Sequence, residues 1–427
     1  MQRIVGVDTA RGLAILGMFV AHLGMERSTE LLSATGWFFI ADGRPSALFA
    51  LLAGVGLAFM TRRARESGDP AEWQRQRTRI VKRSLVLYIF GWVLTFVGTP
   101  IAVILSAYAV MFVLMLPFLK VRTPALLAWA AGIVLVAQLP VLAVRQQIGE
   151  ASLWRVTPGI GELLTGYYPA ISWIAYLLVG LAVGRAGLRS LRTQLILLGA
   201  GVAVAALGYG AGALLQDLIR PAPNSLTELL VSTQPHADSA VEMIGNTGVA
   251  VAVVGLCLLL TRAKVGAVLL TPVSASGAMS LTVYSLHIIY IAILGSDAVF
   301  YPESNWPLIA LVVGTFVFAT CWQLLWGQGP FERAMHAMIR SKPPTAQPTW
   351  AAPPPPGSHA PGHPPTAQPT WAAPPPPAGW SPPVPGARVP PPPNPAVPAP
   401  PPPPPAPPPP PSAQGHWPDP HSRAGRR

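Results

Sequence analysis

The sequence predicts an all-α fold, a polytopic transmembrane bundle of about ten helices with a disordered proline-rich C-terminal tail. Three observations predict it. Of 427 residues, 51% are hydrophobic and 11% charged, against roughly 25% charged in an ordinary soluble domain, so the bilayer is the expected solvent. Apolar runs close to the roughly 20 residues that cross a 30 Å hydrocarbon core recur from Val5 to Trp326. The last 85 residues hold 37 of the 52 prolines and almost no long aliphatic side chains. The chain is therefore divided into a membrane domain, residues 1–342, and a tail, residues 343–427.

The apolar runs fall at 5–24, 45–61, 84–98, 101–119, 125–143, 168–184, 193–214, 243–261, 277–295 and 306–326. The first follows Arg3 and contains Arg11. No small-residue cleavage site of the secretory kind comes after it, so it is read as a retained helix and not as a signal peptide. Ahead of the second run stands Asp42-Gly43-Arg44-Pro45-Ser46, where Asp42 or Ser46 can cap the helix. Between the second and third runs lie eight basic residues, from Arg62 to Arg83. With the N-terminus inside, the later inner loops carry Lys120 and Arg122, then Arg185, Arg189 and Arg192, then Arg262 and Lys264. The inner side then has 20 Lys and Arg against five outside, Arg27, Arg44, Arg145, Arg155 and Arg220. This positive-inside pattern predicts a multi-pass plasma-membrane protein with both termini cytoplasmic.

The net charge of +12 is accordingly read as membrane topology and not as affinity for nucleic acid. Cys257 and Cys321 both lie in apolar runs, where a thiol behaves as a small hydrophobe. Neither a disulfide framework nor a metal cluster is indicated. In the tail, Pro343–Pro356 recurs word for word as Pro364–Pro377, a repeat of 21 residues. Such a composition cannot pack a core and samples polyproline II. It serves either as a spacer or as a ligand for a partner domain that binds proline-rich motifs.

Ionisable groups at membrane depth are costly, so each needs a partner, a wet cavity or a task. Asp8 and Arg11, at i and i+3 on the first helix, either pair as an anchor or bind a ligand. His22 lies eleven residues beyond Arg11, about 16 Å further along the helix, and either bonds a neighbouring helix or serves a site. Asp42, Arg44 and Ser46 stand at the outer mouth of the second span. Ser280, Tyr284 and His287 fall at i, i+4 and i+7, a stripe of hydrogen-bonding groups that suggests a cavity. Pro235-His236-Ala237-Asp238 precedes Glu242 and Asn246 at the start of the eighth span, in what by default is a solvated loop. Histidine can accept a proton from a hydroxyl or amine near neutral pH, and Asp42 or Glu242 could orient it. That is equipment for acyl transfer. A transporter with the same groups lining a pathway is the alternative, as is an anchor presenting the tail; no inverted repeat supports the transporter.

Several segments together carry a family resemblance: Val7-Asp8-Thr9-Ala10-Arg11-Gly12-Leu13-Ala14-Ile15-Leu16-Gly17-Met18, Asp42-Gly43-Arg44-Pro45-Ser46-Ala47-Leu48-Phe49, Pro235-His236, Gly248 to Leu260, Leu281 to His287 and Gly329-Pro330-Phe331-Glu332. In their order and spacing they resemble the heparan-α-glucosaminide N-acetyltransferase-like superfamily of membrane acyltransferases, in its large and mostly uncharacterised bacterial branch. The resemblance covers residues 1 to about 340. It implies an acyl-CoA donor, acetyl-CoA above all, on the cytoplasmic side, a sugar or glycan acceptor on the far side, membrane lipids around the chain, and no metal. It puts His22 where lysosomal members carry a functional asparagine, and Leu32 where they carry their functional histidine. The expected catalytic residues are His22, as general base, with Asp42 and His287. The expected substrate-binding residues are Arg11, Asp8, Arg44, Ser46, Tyr284, His236 and Glu242.

Overall fold

The computed structural model describes residues 3–25, 33, 35–148, 161–223 and 225–339. Leu32 and the tail, with its expected disorder and partner, lie outside the described residues. Among the described residues every regular element is helical. Six helices, or a short helix joined to its neighbour, are long and apolar enough to cross a membrane, and a seventh span is counted if one bent pair is taken together. The chain is thus a multi-pass membrane protein of all-α class.

Each of the ten expected segments contains helix, but the count of ten spans is not reproduced by length and apolarity. The physical reasons differ. α3 (Pro70–Phe96) is 27 residues long, yet its first half carries the basic cluster and only its second half is apolar. α4 (Leu105–Leu114) has ten residues and ends in a short 3₁₀ turn at Leu116–Lys120. α5 (Thr123–Val136) and α6 (Gln138–Ile148) together make one candidate span, Thr123–Gln147. After a single turn, α7 (Gly161–Leu164), comes α8 (Ala170–Arg185), with 16 residues. The expected helix at 277–295 is broken at Met279. α13 (Thr271–Ala278) and α14 (Ser280–Leu294) meet there at 89°.

Glycines set which helices touch. The first helix, α1 (Val5–Leu23), crosses α13 at backbone contact: a Cβ built on Gly277 would lie 1.8 Å from the Asp8 carbonyl oxygen, and one on Gly12 would lie 2.0 Å from that of Val273. α2 (Arg44–Ser67) meets α8 in the same way through Gly54 and Gly180. α9 (Leu191–Ile219) meets α11 (Ala240–Leu260) through Gly208 and Gly248, after a short α10 (Leu226–Val231). Small residues let backbones approach closely, which is how helices associate in lipid where the hydrophobic drive is absent. Of the apolar windows, α2 is 72% buried and α16 (Trp306–Trp326) 17%, so α2 is central and α16 peripheral.

The break at Met279 frees backbone N–H groups, which inside a membrane protein is tolerable only where protein or water satisfies them. Glu332, on α17 (Pro330–Ile339), does so. Its carboxylate accepts from the N–H groups of Leu281 (2.7 Å) and Thr282 (3.1 Å) and from the Thr282 hydroxyl (2.6 Å). Two short helices complete the order, α12 (Lys264–Leu269) before the bend and α15 (Asp297–Phe300) after it.

Candidate functional site

Two cavities flank the region where α1, α2 and α14 meet. The first, of about 310 Å³, is lined by Arg11, Arg83, Tyr108, Ser280, Tyr284 and Glu332 among others. The second, of about 250 Å³, is lined by His22, Asp42, Ser46, Tyr168, His236 and Phe300 among others. Arg11 and His22 sit on one helix about 16 Å apart, so the cavities lie at successive depths along α1. A partition of rings separates them. Phe49 stacks between Tyr108 (5.5 Å) and Tyr284 (6.3 Å), while His287 sits 5.2 Å from Tyr284 and 5.0 Å from Phe19.

His22 and His287 meet at this partition. His22 Nδ1 lies 3.2 Å from His287 Nε2, with the rings parallel to within 6°. His287 Nδ1 lies 2.8 Å from the Tyr284 carbonyl oxygen. A carbonyl only accepts, so Nδ1 of His287 bears the hydrogen, and in a neutral ring its Nε2 must then accept. That makes His22 Nδ1 the donor and leaves His22 Nε2 with its lone pair free for the second cavity. His287 itself is wholly buried and lines neither cavity.

His236 reaches the second cavity from a loop held by unusual means. Both His236 (φ 60°) and Asp238 (φ 55°) are in the left-handed region, which costs a non-glycine residue energy unless its surroundings impose it. The Glu242 carboxylate accepts from the N–H groups of His236 (2.9 Å) and Asp238 (2.7 Å). Arg145 donates to the His236 carbonyl and to Asp238, both at 2.5 Å, and the Trp173 indole donates to the other Asp238 oxygen at 2.6 Å. The His236 ring lies parallel to Trp173 at 5.9 Å, and its Nδ1 is 3.2 Å from the Tyr167 carbonyl oxygen. By the same reasoning its Nε2 is the accepting nitrogen. Burial pushes the His236 pKa down to about 4, the bond to Tyr167 acts in the opposite sense, and the Arg145 charge lowers it further. The loop meets the start of α2 where Gly43 (φ 71°) lies against Pro235, and that contact brings Asp42 and His236 to one cavity.

The other expected residues distribute as follows. Asp42 and Ser46 line the His22 cavity. Glu242 does not: it is buried beneath the loop, where its oxygens are taken by backbone N–H groups and by Asn246 (3.0 Å). Arg44 also points elsewhere, bonding the Tyr209 hydroxyl (3.0 Å) and the Phe39 carbonyl (2.8 Å), while Tyr209 donates to Asn246 (2.6 Å). Tyr284 faces the Arg11 cavity, and its hydroxyl accepts from the Ile104 N–H at 3.1 Å. Asp8 takes Arg3 at 2.5 Å and Arg11 only at 3.4 Å, so the Arg11 guanidinium remains available to its cavity. There it is joined by Arg83, whose Nε has no partner among the described residues, and by the equally unpartnered Tyr108 hydroxyl. Sequence reasoning did not single out Arg145, Trp173, Tyr209 or Tyr108. Arg145 alone carried a signal, as one of the few basic residues outside the inner loops.

These features define a class: a multi-pass helical membrane protein with two polar cavities at successive depths and a histidine pair at their partition. Residues 3–211 match the family described as heparan-alpha-glucosaminide N-acetyltransferase, catalytic, and residues 191–342 match a protein of unknown function (DUF418). Together the two matches run from residue 3 to residue 342, so the membrane part is similar first to the heparan-α-glucosaminide N-acetyltransferase catalytic family and then to a family of unknown function. A similar relative is an uncharacterized 39.9 kDa protein in the amylase 3′ region of Bacillus acidopullulyticus, 25% identical over 371 residues, covering 80% of this chain and 95% of the relative.

Proposed function

We propose that the protein is a plasma-membrane acyltransferase that moves an acetyl group from cytoplasmic acetyl-CoA to a sugar or glycan acceptor on the far side. The observation that carries this reading is the His22–His287 bond, which leaves His22 Nε2 as an accepting nitrogen at a polar cavity. In this reading His22 takes the proton from the acceptor hydroxyl or amine as that atom attacks the thioester carbonyl. The C–S bond then breaks, and the CoA thiolate departs and is protonated. His287 holds the His22 ring in the required tautomer, and Asp42, with His236, sits where the acceptor is bound and the developing imidazolium is favoured. Arg11 and Arg83, with the basic loop around them, offer charge for the phosphates of the donor, and the excess of Lys and Arg at that end supports its being cytoplasmic.

The test uses sealed proteoliposomes with labelled acetyl-CoA inside and amino-sugar glycosides outside. Wild type transfers label to the glycoside, and His22→Ala lowers the rate by about 10²- to 10⁴-fold while inserting normally. A His22→Ala protein with full transfer overturns the assignment. Movement of unmodified glycoside across the vesicle wall instead of transfer establishes the transporter reading.

A further inference from the structure

The surroundings of the His22 cavity bear on how an acceptor reaches it. α1 ends at Leu23 and α14 at Leu294, and α2 and α16 begin at Arg44 and Trp306. Met25 and Asn305 tie two of these ends together by a reciprocal pair of bonds, 2.7 and 2.9 Å. Four span ends thus mark one face of the bilayer. Beyond them the chain forms the 3₁₀ turn Phe38–Ala41 on one side and α15 on the other, and both contribute to the cavity wall, through Ala41 and Asp42 and through Val299 and Phe300.

Among the described residues both flanks present open apolar side chains, next to the exposed carboxylates of Asp42, Asp297 and Glu303. Phe39 is 43% exposed and Ile40 48%; Phe300 is 54% exposed, Tyr301 76% and Trp306 73%. Exposed apolar side chains grouped around an opening mark an interaction surface. At the ends of spans, tryptophan and tyrosine mark the depth where headgroups meet hydrocarbon, with the ring body in the apolar layer and the polar tip in the wet one. Phe300 is at once a wall of the polar cavity and open to that layer. These exposed rings at the span ends are what a lipid-facing flank of the mouth requires.

We propose that the acceptor is an amphiphile of the outer leaflet, a lipid-linked sugar. Its head enters the cavity of His22, Asp42 and His236, and its hydrocarbon remains in the bilayer between the Phe39–Ile40 turn and the Phe300–Tyr301 segment. This rests on the acyl-transfer reading for what happens to the head, while the binding site itself can be examined without catalysis. A chain held in the leaflet confines the head near the depth of His22 and raises its effective concentration there, whereas a free sugar must be recruited from bulk water.

The experiment compares decyl glucosaminide, inserted in proteoliposomes of the full-length protein, with methyl glucosaminide in solution, both with acetyl-CoA inside. The expected result is a kcat/KM higher by roughly tenfold or more for the decyl acceptor. The Phe300→Ser/Tyr301→Ser double variant should lower the decyl value more than the methyl value and so shrink the ratio. Equal kcat/KM for the two acceptors in wild type overturns the proposal and leaves acyl transfer standing. A second arm reads binding alone, using a decyl glucosaminide with a photoactivatable group in the decyl chain. Labelling concentrated in residues 37–42 and 299–306, and displaced by decyl but not by methyl glucosaminide, supports the site even if neither acceptor is acylated, in which case only the acyl-transfer reading fails. Labelling spread evenly over the lipid-facing surfaces of α9 and α16 overturns it.

Discussion

A neutral imidazole has one donor and one acceptor, and three consecutive groups, the Tyr284 carbonyl, His287 and His22, use that property to orient a base without any carboxylate. Replacing His287 with Phe keeps the ring volume but leaves His22 Nδ1–H without its acceptor. We expect kcat to fall by between about 10- and 100-fold, the range for groups that orient a functional side chain from behind, with little change in acceptor KM; steady-state kinetics in proteoliposomes checks it. His236 supplies a pH prediction. Its folded pKa, about 4, lies below the unfolded value, so the unfolded state binds more protons between about pH 6.5 and 4. Stability is therefore retained above about pH 6.5 and falls as the pH drops through that window, by roughly 1–3 kcal/mol. Thermal unfolding in detergent across this range should show the loss in wild type and a shallower slope in His236→Gln.

At the scale of elements, two features carry the arrangement. The helix break at Met279 lets α14 start at Ser280, so the Tyr284–His287 stripe is presented by a half-helix whose first N–H groups are held by Glu332. Glu332→Ala leaves those groups without their acceptor. The expected cost is about 1–2 kcal/mol, that of a lost helix cap, with transfer activity lost along with the placement of His287; a melting curve and an activity assay on the same preparation check both. The second feature is backbone contact between helices. Gly277→Ala drives a methyl into the Asp8 carbonyl, a backbone atom that cannot rotate away, whereas Gly314→Ala meets nothing within 4 Å. The first should destabilise by roughly 1–3 kcal/mol or more and reduce the yield of folded protein in the membrane, and the second should be tolerated, as fluorescence-detected size exclusion would read.

For the whole molecule, the membrane part contains both cavities and the partition, while the tail begins after Lys342. Truncation after Lys342 should leave acyl transfer within about twofold of the full chain in proteoliposomes. Abolished activity would instead support the view that the membrane part is an anchor for the tail.

Much of the fold was legible in the sequence. Apolar length and the near absence of charge mark a membrane protein because hydrocarbon cannot solvate charge, and the spacing of Ser280, Tyr284 and His287 marks one helix face because the α-helix repeats every 3.6 residues. These are local properties that survive without knowledge of neighbours. The meeting of His22 with His287 is different: 265 residues separate them, and only the crossing of α1 with the broken α13–α14 pair brings them within a hydrogen bond. The same holds for Glu242 and Arg44, which sequence reasoning assigns to substrate and which folding turns toward the His236 loop and Tyr209. A carboxylate or guanidinium bonds whatever donor or acceptor packing brings near it, and packing in lipid follows from small residues at helix crossings, whose partners no single-helix periodicity reveals. The sequence by itself thus determined the solvent, the helices and the ionisable groups that needed a role; the tertiary structure decided which of them share a cavity, because that depends on which helices touch.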